Sequence, residues 1–99
     1  MFGLDQNAMM LKMQQALEES KIRLENTIVN SEAGGGLIRV EMNGNRKVTE
    51  LSINGSLQDM DKEDLEDLLV VAINRVLEEA NRVNENEVSS SARQFLPGI

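Results

Sequence analysis

The chain has no cysteine, no histidine, no tryptophan and no tyrosine. These absences exclude disulfides, thiolate nucleophiles, the usual zinc ligands and a side chain whose ordinary pKa lies near neutrality. The only aromatic residues are Phe2 and Phe95, both near an end, so the interior must consist of aliphatic residues and methionine. We therefore expect no catalytic site and no cofactor, and we predict that the protein is not an enzyme.

Long apolar runs are also missing, because the longest one covers only residues 68–73. Such a run is far too short to cross a bilayer, and the first residues do not resemble a secretory leader. We expect a cytoplasmic protein without a membrane partner or a small-molecule substrate. The formal net charge of −7 favours solubility and opposes non-specific binding to phosphates.

The first part of the chain, residues 5 to about 29, has the composition and periodicity of a helix. Met10, Met13, Leu17 and Leu24 recur with spacings of three, four and seven, and the polar Ser20 interrupts the stripe. These spacings place the apolar residues on one face of the helix, as in helices that pack against another helix.

The middle of the chain alternates between apolar and polar residues, as strands do. The glycines at 34–36 indicate a bulge or a close backbone approach where the first strand begins. Residues 37–42 form that strand, Asn43-Gly44 indicates a hairpin, and a second strand follows. Residues 28–32 are a possible third strand. The predicted core-facing residues are Ile38, Val40, Met42, Thr49, Leu51 and Ile53.

The acidic residues at 59–67 lack the glycine and the final glutamate of a calcium loop, so they predict a helix start and not a metal site. We expect Asp61 to be the N-cap and the helix to end near Val88. Its sheet-covering stripe comprises Leu65, Leu69, Ala72, Val76, Ala80 and Val83. Residues 1–91 should be one domain, and residues 92–99 a flexible tail.

The same helix is apolar nearly all round over residues 68–77, which one small sheet and one other helix cannot cover. This indicates a symmetric partner, and we predict a homodimer. The candidate interface residues are Leu68, Val71, Ala72, Ile73, Val76 and Leu77.

Several segments, in their order along the chain, resemble the YbaB/EbfC family of nucleoid-associated proteins. They are GGGLIRVEMNG at 34–44, LSINGSL at 51–57 and LEDLLVVAINRVLEEA at 65–80, preceded by Met-Phe-Gly at 1–3 and followed by QFLPGI at 94–99. The resemblance implies an α+β fold with a long N-terminal helix, a small antiparallel sheet of two to three strands and a long C-terminal helix. It also implies a tweezer-like homodimer that binds double-stranded DNA with low sequence specificity and contributes to nucleoid organisation or gene regulation.

If DNA is the partner, charge and placement select the cations that would contact phosphate. The candidates are Lys12, Lys21, Arg23, Arg75 and Arg82. Arg39, Arg46 and Lys47, around the predicted hairpin, could act in the same way. The alternative is an ordinary solvated helix surface, because acidic residues precede Lys21, Arg23 and Arg82 by three or four positions.

A second function fits the same composition. Small acidic dimers that combine helices and strands also serve as chaperones or adaptors for a protein client. Met9, Met10 and Met13 would then supply adaptable apolar contacts.

Overall fold

The computed structural model describes residues 6–94, and its elements confirm the α+β prediction. Helix α1 (Gln6–Glu25) is followed by the strands β1 (Ile28–Ala33), β2 (Ile38–Asn43) and β3 (Val48–Ile53), a 3-10 turn (Leu57–Asp59) and helix α2 (Lys62–Arg93). We call the sheet together with residues 62–80 of α2 the body, and α1 together with residues 81–93 of α2 the arm. Phe2, Phe95 and the predicted tail beyond residue 94 lie outside the described residues.

Helix α1 is shorter than its sequence predicts, because it ends at Glu25 and not near residue 29. Ile28 and Val29 leave the helix to pair with Asn43 and Met42 on β2. Both residues are β-branched, and β-branched side chains favour a strand over another turn of helix. The possible third strand is thereby confirmed as β1.

The sheet is antiparallel, with the order β1-β2-β3. Ile38, Val40 and Met42 on β2 are 0%, 1% and 3% exposed, which confirms the predicted core face of this strand. Helix α2 lies across β1 and β2, and Ala72, Val76 and Ala80 are completely buried there. The central residues of the predicted stripe, Ala72, Val76 and Ala80, thus cover one side of two of the three strands.

The three consecutive glycines form the turn between β1 and β2, not a bulge. Gly34, Gly35 and Gly36 have φ values of +67°, +67° and +94°, a region that side chains rarely tolerate. The amide of Leu37 donates to the carbonyl of Gly34 at 3.3 Å and closes the turn.

The second hairpin follows Asn43-Gly44, as predicted, but the positive φ of 66° occurs at Arg46. Gly44 is needed for space, because a Cβ there would lie 2.7 Å from Leu24 Cδ2 and 2.9 Å from the Leu24 carbonyl oxygen. Its amide donates to the carbonyl oxygens of Leu24 and Thr27, at 2.8 and 2.9 Å. Gly44 is therefore the point where the body touches the end of α1.

Strand β3 differs from the prediction at its first residues. Ile53 and Leu51 pair with Ile38 and Val40, as an alternating strand requires, but Met42 pairs with Val48. The register shifts there, and Thr49 is the extra residue between Val48 and Glu50. Val48, and not Thr49, is therefore the residue opposite the buried Met42.

Helix α2 begins as predicted, since the Asp61 carboxylate accepts from the amides of Glu63 and Asp64. It does not end near Val88 but continues to Arg93, so the three serines at 89–91 and the first two residues of the predicted tail are helical. Ser91 is only 7% exposed. Packing against α1 overrides the weak helix propensity of this segment. Neither helix of the described part has an apolar stretch long enough to span a membrane.

Candidate nucleic-acid interface

The two lysine candidates lie on the arm, one near the beginning and one near the end of α1. Lys12 and Lys21 are exposed, and neither forms an ion pair with a described residue. Their charges are thus available to a ligand. Lys21 is also tied to the sheet, because its carbonyl accepts from the Asn45 side-chain amide at 3.1 Å.

Glu19 precedes Arg23 by four residues, and this spacing favours an ion pair within α1. Arg23 instead forms its ion pair across the arm. Its Nη2 lies 2.6 Å from Glu87 Oε1 and its Nε donates to the same oxygen at 2.7 Å. This hydrogen bond is the main reason why the pKa of Glu87 is lowered, and a hydrogen bond from Ser20 and the charge of Arg23 add to the effect against the opposing desolvation. The pair holds α1 against α2 and offsets the charge of Arg23.

The two candidates on α2 differ in how their charge is compensated. Arg75 Nη1 donates to the carbonyl oxygen of Glu32 at 3.1 Å, so its partner is neutral. Arg82 forms an ion pair with Glu79, one helical turn earlier, and not with Glu78. Arg75 keeps its net charge, whereas that of Arg82 is offset.

The β2–β3 turn holds a further cation in a fixed position. Arg46 Nε donates to Asn81 Oδ1 at 2.6 Å, and its Nη2 donates to Asn84 Oδ1 at 3.1 Å. Asn84 also donates from Nδ2 to the Gly44 carbonyl at 3.0 Å. Both partners of the guanidinium are neutral amides, so Arg46 is positioned without losing its charge.

Arg46 is among the cations that the sequence suggests as alternatives, but the amides that hold it were not predicted. Asn81 and Asn84 are three residues apart on α2 and hence lie on one face. The available signal was this pair of asparagines together with the asparagine-rich turn at 43–45. Only the three-dimensional structure shows that the two segments meet.

The candidate dimer residues divide into two groups. The structure contradicts the assignment of Ala72 and Val76 to the dimer interface. Both are fully buried against the sheet of their own chain, so they have no surface to offer a partner. The other four are at least partly accessible: Leu68, Val71, Ile73 and Leu77. Among these, Val71 is the most open, with 38% of its surface exposed.

The sheet face over β3 is left largely open, because α2 lies mainly over β1 and β2. Leu51 is 44% exposed although it pairs with the buried Val40, and Val48 opposite Met42 is 50% exposed. Arg75 reaches β1, so the flank of α2 that carries Arg75 faces β1. Ile73 and Leu77 lie on the opposite flank of α2 and are half-buried against the core.

An apolar groove of about 280 Å³ runs between the two helices of the arm. Its lining is almost entirely apolar and comprises Met13, Ala16, Leu17, Ser20, Val88, Ser91 and Ala92. Of the predicted client-binding methionines, Met13 lies in this groove, and Met9 and Met10 are exposed on the same helix. The described residues contain no group of three acidic side chains that could hold a metal ion.

Comparison with known proteins shows that the sequence is similar to one protein family. A family model described as the YbaB/EbfC DNA-binding family matches residues 2–95. A protein of Flavobacterium johnsoniae named nucleoid-associated protein is 43% identical over 86 residues, which cover 87% of this chain and 80% of that protein. A Legionella pneumophila protein of the same name is 37% identical over 78 residues, covering 79% of this chain and 70% of the relative.

The fold also has a counterpart among solved structures. The crystal structure of an uncharacterized protein from Helicobacter pylori superposes with a TM-score of 0.75 and 25% sequence identity. The match covers 98% of this chain and 99% of the other. The arrangement of a sheet body and a two-helix arm is thus shared over the full length.

Proposed function

The chain belongs to the YbaB/EbfC DNA-binding family, and on this premise we propose that it is a homodimeric nucleoid-associated protein that binds double-stranded DNA with low sequence specificity. Its role would be architectural or regulatory, in nucleoid organisation or gene regulation, and not catalytic. It would act in the cytoplasm, at the nucleoid. The observation that carries the proposal is the set of cations that keep their charge on an otherwise acidic chain.

The uncovered face over β3 supports the dimer. On this face Val48 and Leu51 are exposed apolar residues of β3, and α2 carries the exposed Val70 and the half-buried Ile73. A second copy that places its own α2 over β3 would bury this region symmetrically. Ile73 and Leu77 therefore remain in the proposed interface. Leu68 and Val71 share the other flank with Arg75.

The charge distribution supports phosphate contact by a subset of the predicted cations. Lys12, Lys21 and Arg75 form no ion pair with a described residue, so a phosphate would not have to displace a carboxylate from them. Arg23 and Arg82 would first have to leave Glu87 and Glu79, and we expect them to contribute less. Contacts of this kind attach to the backbone of DNA and carry no sequence information by themselves.

Low specificity follows from the same groups. Lysine and arginine side chains on exposed surfaces bind phosphates through charge, and the described residues offer no aromatic side chain for stacking on bases. Two unrelated duplexes of equal length should therefore bind with nearly equal affinity. Specific proteins, by contrast, prefer their sites by roughly a thousandfold or more.

A gel-shift titration at low and moderate salt tests this function. We expect a shift that weakens steeply with salt, because binding releases counterions from the DNA. The absence of a shift at low salt with micromolar protein, or an affinity that does not change with salt, would contradict the proposal. The matched variant Lys12→Gln should reduce the salt dependence without affecting folding, since Lys12 is exposed and forms no ion pair within residues 6–94.

The apolar groove of the arm favours a second candidate, an acidic dimeric chaperone or adaptor. Leu17 and Val88 at its edges are both 55% exposed, as in a surface that receives an apolar segment of a client. A pull-down with and without nuclease separates the two functions. Co-purified nucleic acid supports DNA binding, whereas one stoichiometric protein retained after nuclease treatment supports the adaptor.

A further inference from the structure

The turn between β2 and β3 brings cations from different segments to one place. Arg46 and Lys47 belong to the turn, and the Asn45 side chain joins it to the carbonyl of Lys21 near the end of α1. We call Lys21, Arg46 and Lys47 the cationic turn cluster. It lies at the junction of body and arm.

The backbone of this cluster is fixed before any ligand arrives. The Asn43 side-chain oxygen accepts from the amides of Asn45 and Lys47 at 2.9 and 3.2 Å. The amide of Asn43 donates to the Lys47 carbonyl at 2.9 Å, and Gly44 is bound to the end of α1. A preformed site avoids the entropy loss of ordering a loop on binding.

The charges of the cluster are not offset by the hydrogen bonds that position it. Arg46 is held by Asn81 and Asn84, both neutral, and uses Nε and one hydrogen of Nη2 for them. Its other N–H groups can donate to a ligand. Lys21 and Lys47 are exposed and form no ion pair in the described part of the chain. By contrast, Arg23, Arg39 and Arg82 each have a carboxylate partner.

We propose that the cationic turn cluster is a phosphate-binding site for the backbone of duplex DNA. This inference rests on the proposed function and adds its contact site. Lys21 and Lys47 supply point charges, and Arg46 donates from its fixed guanidinium to a phosphate oxygen. Asn81 acts as a positioning residue, because it holds the guanidinium and does not touch the DNA.

The test compares two lysines that differ in position but not in charge or exposure. Lys47→Gln and Lys62→Gln each remove one exposed cation that has no ion pair among the described residues, and Lys62 lies at the start of α2. Binding to a fluorescently labelled duplex is measured by anisotropy at several salt concentrations. We expect Lys47→Gln to make the slope of log affinity against log salt shallower by about 0.9 for each copy of the cluster that contacts the duplex, because each copy then neutralises one phosphate fewer. Lys62→Gln should leave the slope as it is.

The double variant Lys21→Gln with Lys47→Gln should change the slope by about twice as much, provided that far-UV circular dichroism confirms its fold. If the wild type binds with a steep slope and Lys47→Gln behaves like Lys62→Gln, the cluster is not the site, while the proposed function stands. If the wild type itself does not bind the duplex at low salt, the proposed function fails.

Asn81→Ala tests the positioning role. It leaves every cation in place, so the salt slope should not change. The affinity should fall about twofold to tenfold, because the flexible side chain of Arg46 must be immobilised again on binding. Wild-type affinity in this variant would overturn the assignment of Asn81 as a positioning residue.

Discussion

The body and the arm of this molecule are built from similar aliphatic residues but cover them very differently. In the body, Ile38, Ala72, Val76 and Ala80 are all 0% exposed. In the arm, no residue of α1 before Ser20 is buried, and Met10 and Leu17 are 59% and 55% exposed. Apolar composition alone therefore does not make a core. A core also needs an opposing surface, and α2 has the sheet along the body but only the narrow α1 along the arm.

The largest difference between the two regions should appear when one large side chain is truncated in each. Ile38→Ala removes most of a fully buried side chain and should lower the free energy of unfolding by about 2–5 kcal/mol. Leu17→Ala on the arm should cost less than about 1 kcal/mol, because the side chain is 55% exposed. Urea unfolding at one fixed protein concentration measures both. Equal losses would show that the arm is buried in solution.

The junction between body and arm can be overfilled at Gly44. A methyl group there would meet the Leu24 side chain at 2.7 Å and its carbonyl oxygen at 2.9 Å, so Gly44→Ala should cost about 1–3 kcal/mol. The control is Gly35→Asn, because a Cβ at Gly35 would have nothing within 4 Å and asparagine tolerates its φ of +67°. Thermal unfolding should separate the two variants, and similar melting temperatures would contradict the close approach.

A matched pair of serines gives a smaller contrast. Ser31 in the body donates from Oγ to the Ala72 carbonyl at 2.6 Å, and Ser31→Ala should cost about 0.5–1.5 kcal/mol. The Ser91 hydroxyl in the arm is buried and has no hydrogen-bond partner within the described part of the chain. Ser91→Ala should therefore stabilise the protein by roughly 0.5–1 kcal/mol. Reduced stability in both variants would show that Ser91 has a partner in solution.

The smallest effect concerns the ion pair of the arm. The Arg23 hydrogen bond holds the pKa of Glu87 below its ordinary value of 4.5. The ionised carboxylate of Glu87 therefore stabilises the folded state. This contribution is complete above the ordinary value and is lost as the pH falls through the lowered one. Glu87→Gln should thus be less stable than the wild type at neutral pH, by about 0.2–1 kcal/mol. The difference should shrink as the solution is acidified.

The control for this pH dependence is Glu66→Gln, which removes an exposed carboxylate that forms no ion pair with the residues described. Its stability relative to the wild type should change little between neutral and acidic solution. A constant gap between Glu87→Gln and the wild type across the same range would contradict the role of the Arg23 pair.

Local patterns were sufficient to predict most of the body. Alternation identified the buried face of β2, the spacing of Ala72, Val76 and Ala80 identified the face of α2 that covers the sheet, and Asp61 marked the start of this helix. Each of these features depends on neighbours within a few residues. The same holds for the Asn43-Gly44 hairpin, whose position was predicted correctly.

What sequence alone could not predict depends on contacts between distant segments. Residues 89–93 were expected to be non-helical, and their packing against α1 makes them helical. Helix α1 ends earlier than its sequence predicts because Ile28 and Val29 pair with β2. Ala72 and Val76 were assigned both to the sheet-covering stripe and to a partner surface, and their complete burial in their own chain leaves only the first assignment.

The candidate DNA contacts show the same division. The sequence shows where every cation is, but not which cations have their charge offset by an ion pair. That depends on partners far along the chain, such as the carboxylate of Glu87 for Arg23 and the neutral amide of Asn81 for Arg46. Helical spacing predicted intrahelical pairs for Arg23 and Arg82. Arg23 instead forms its ion pair with Glu87 across the arm. Arg82 does form an intrahelical pair, and its partner is Glu79.

The open face over β3 is the feature on which the proposed assembly depends, and the mass of the protein in solution tests it most directly. Sedimentation equilibrium of the full chain should give twice 11.0 kDa at concentrations well above those needed for DNA binding. A well-behaved species of 11.0 kDa under the same conditions would contradict the dimer.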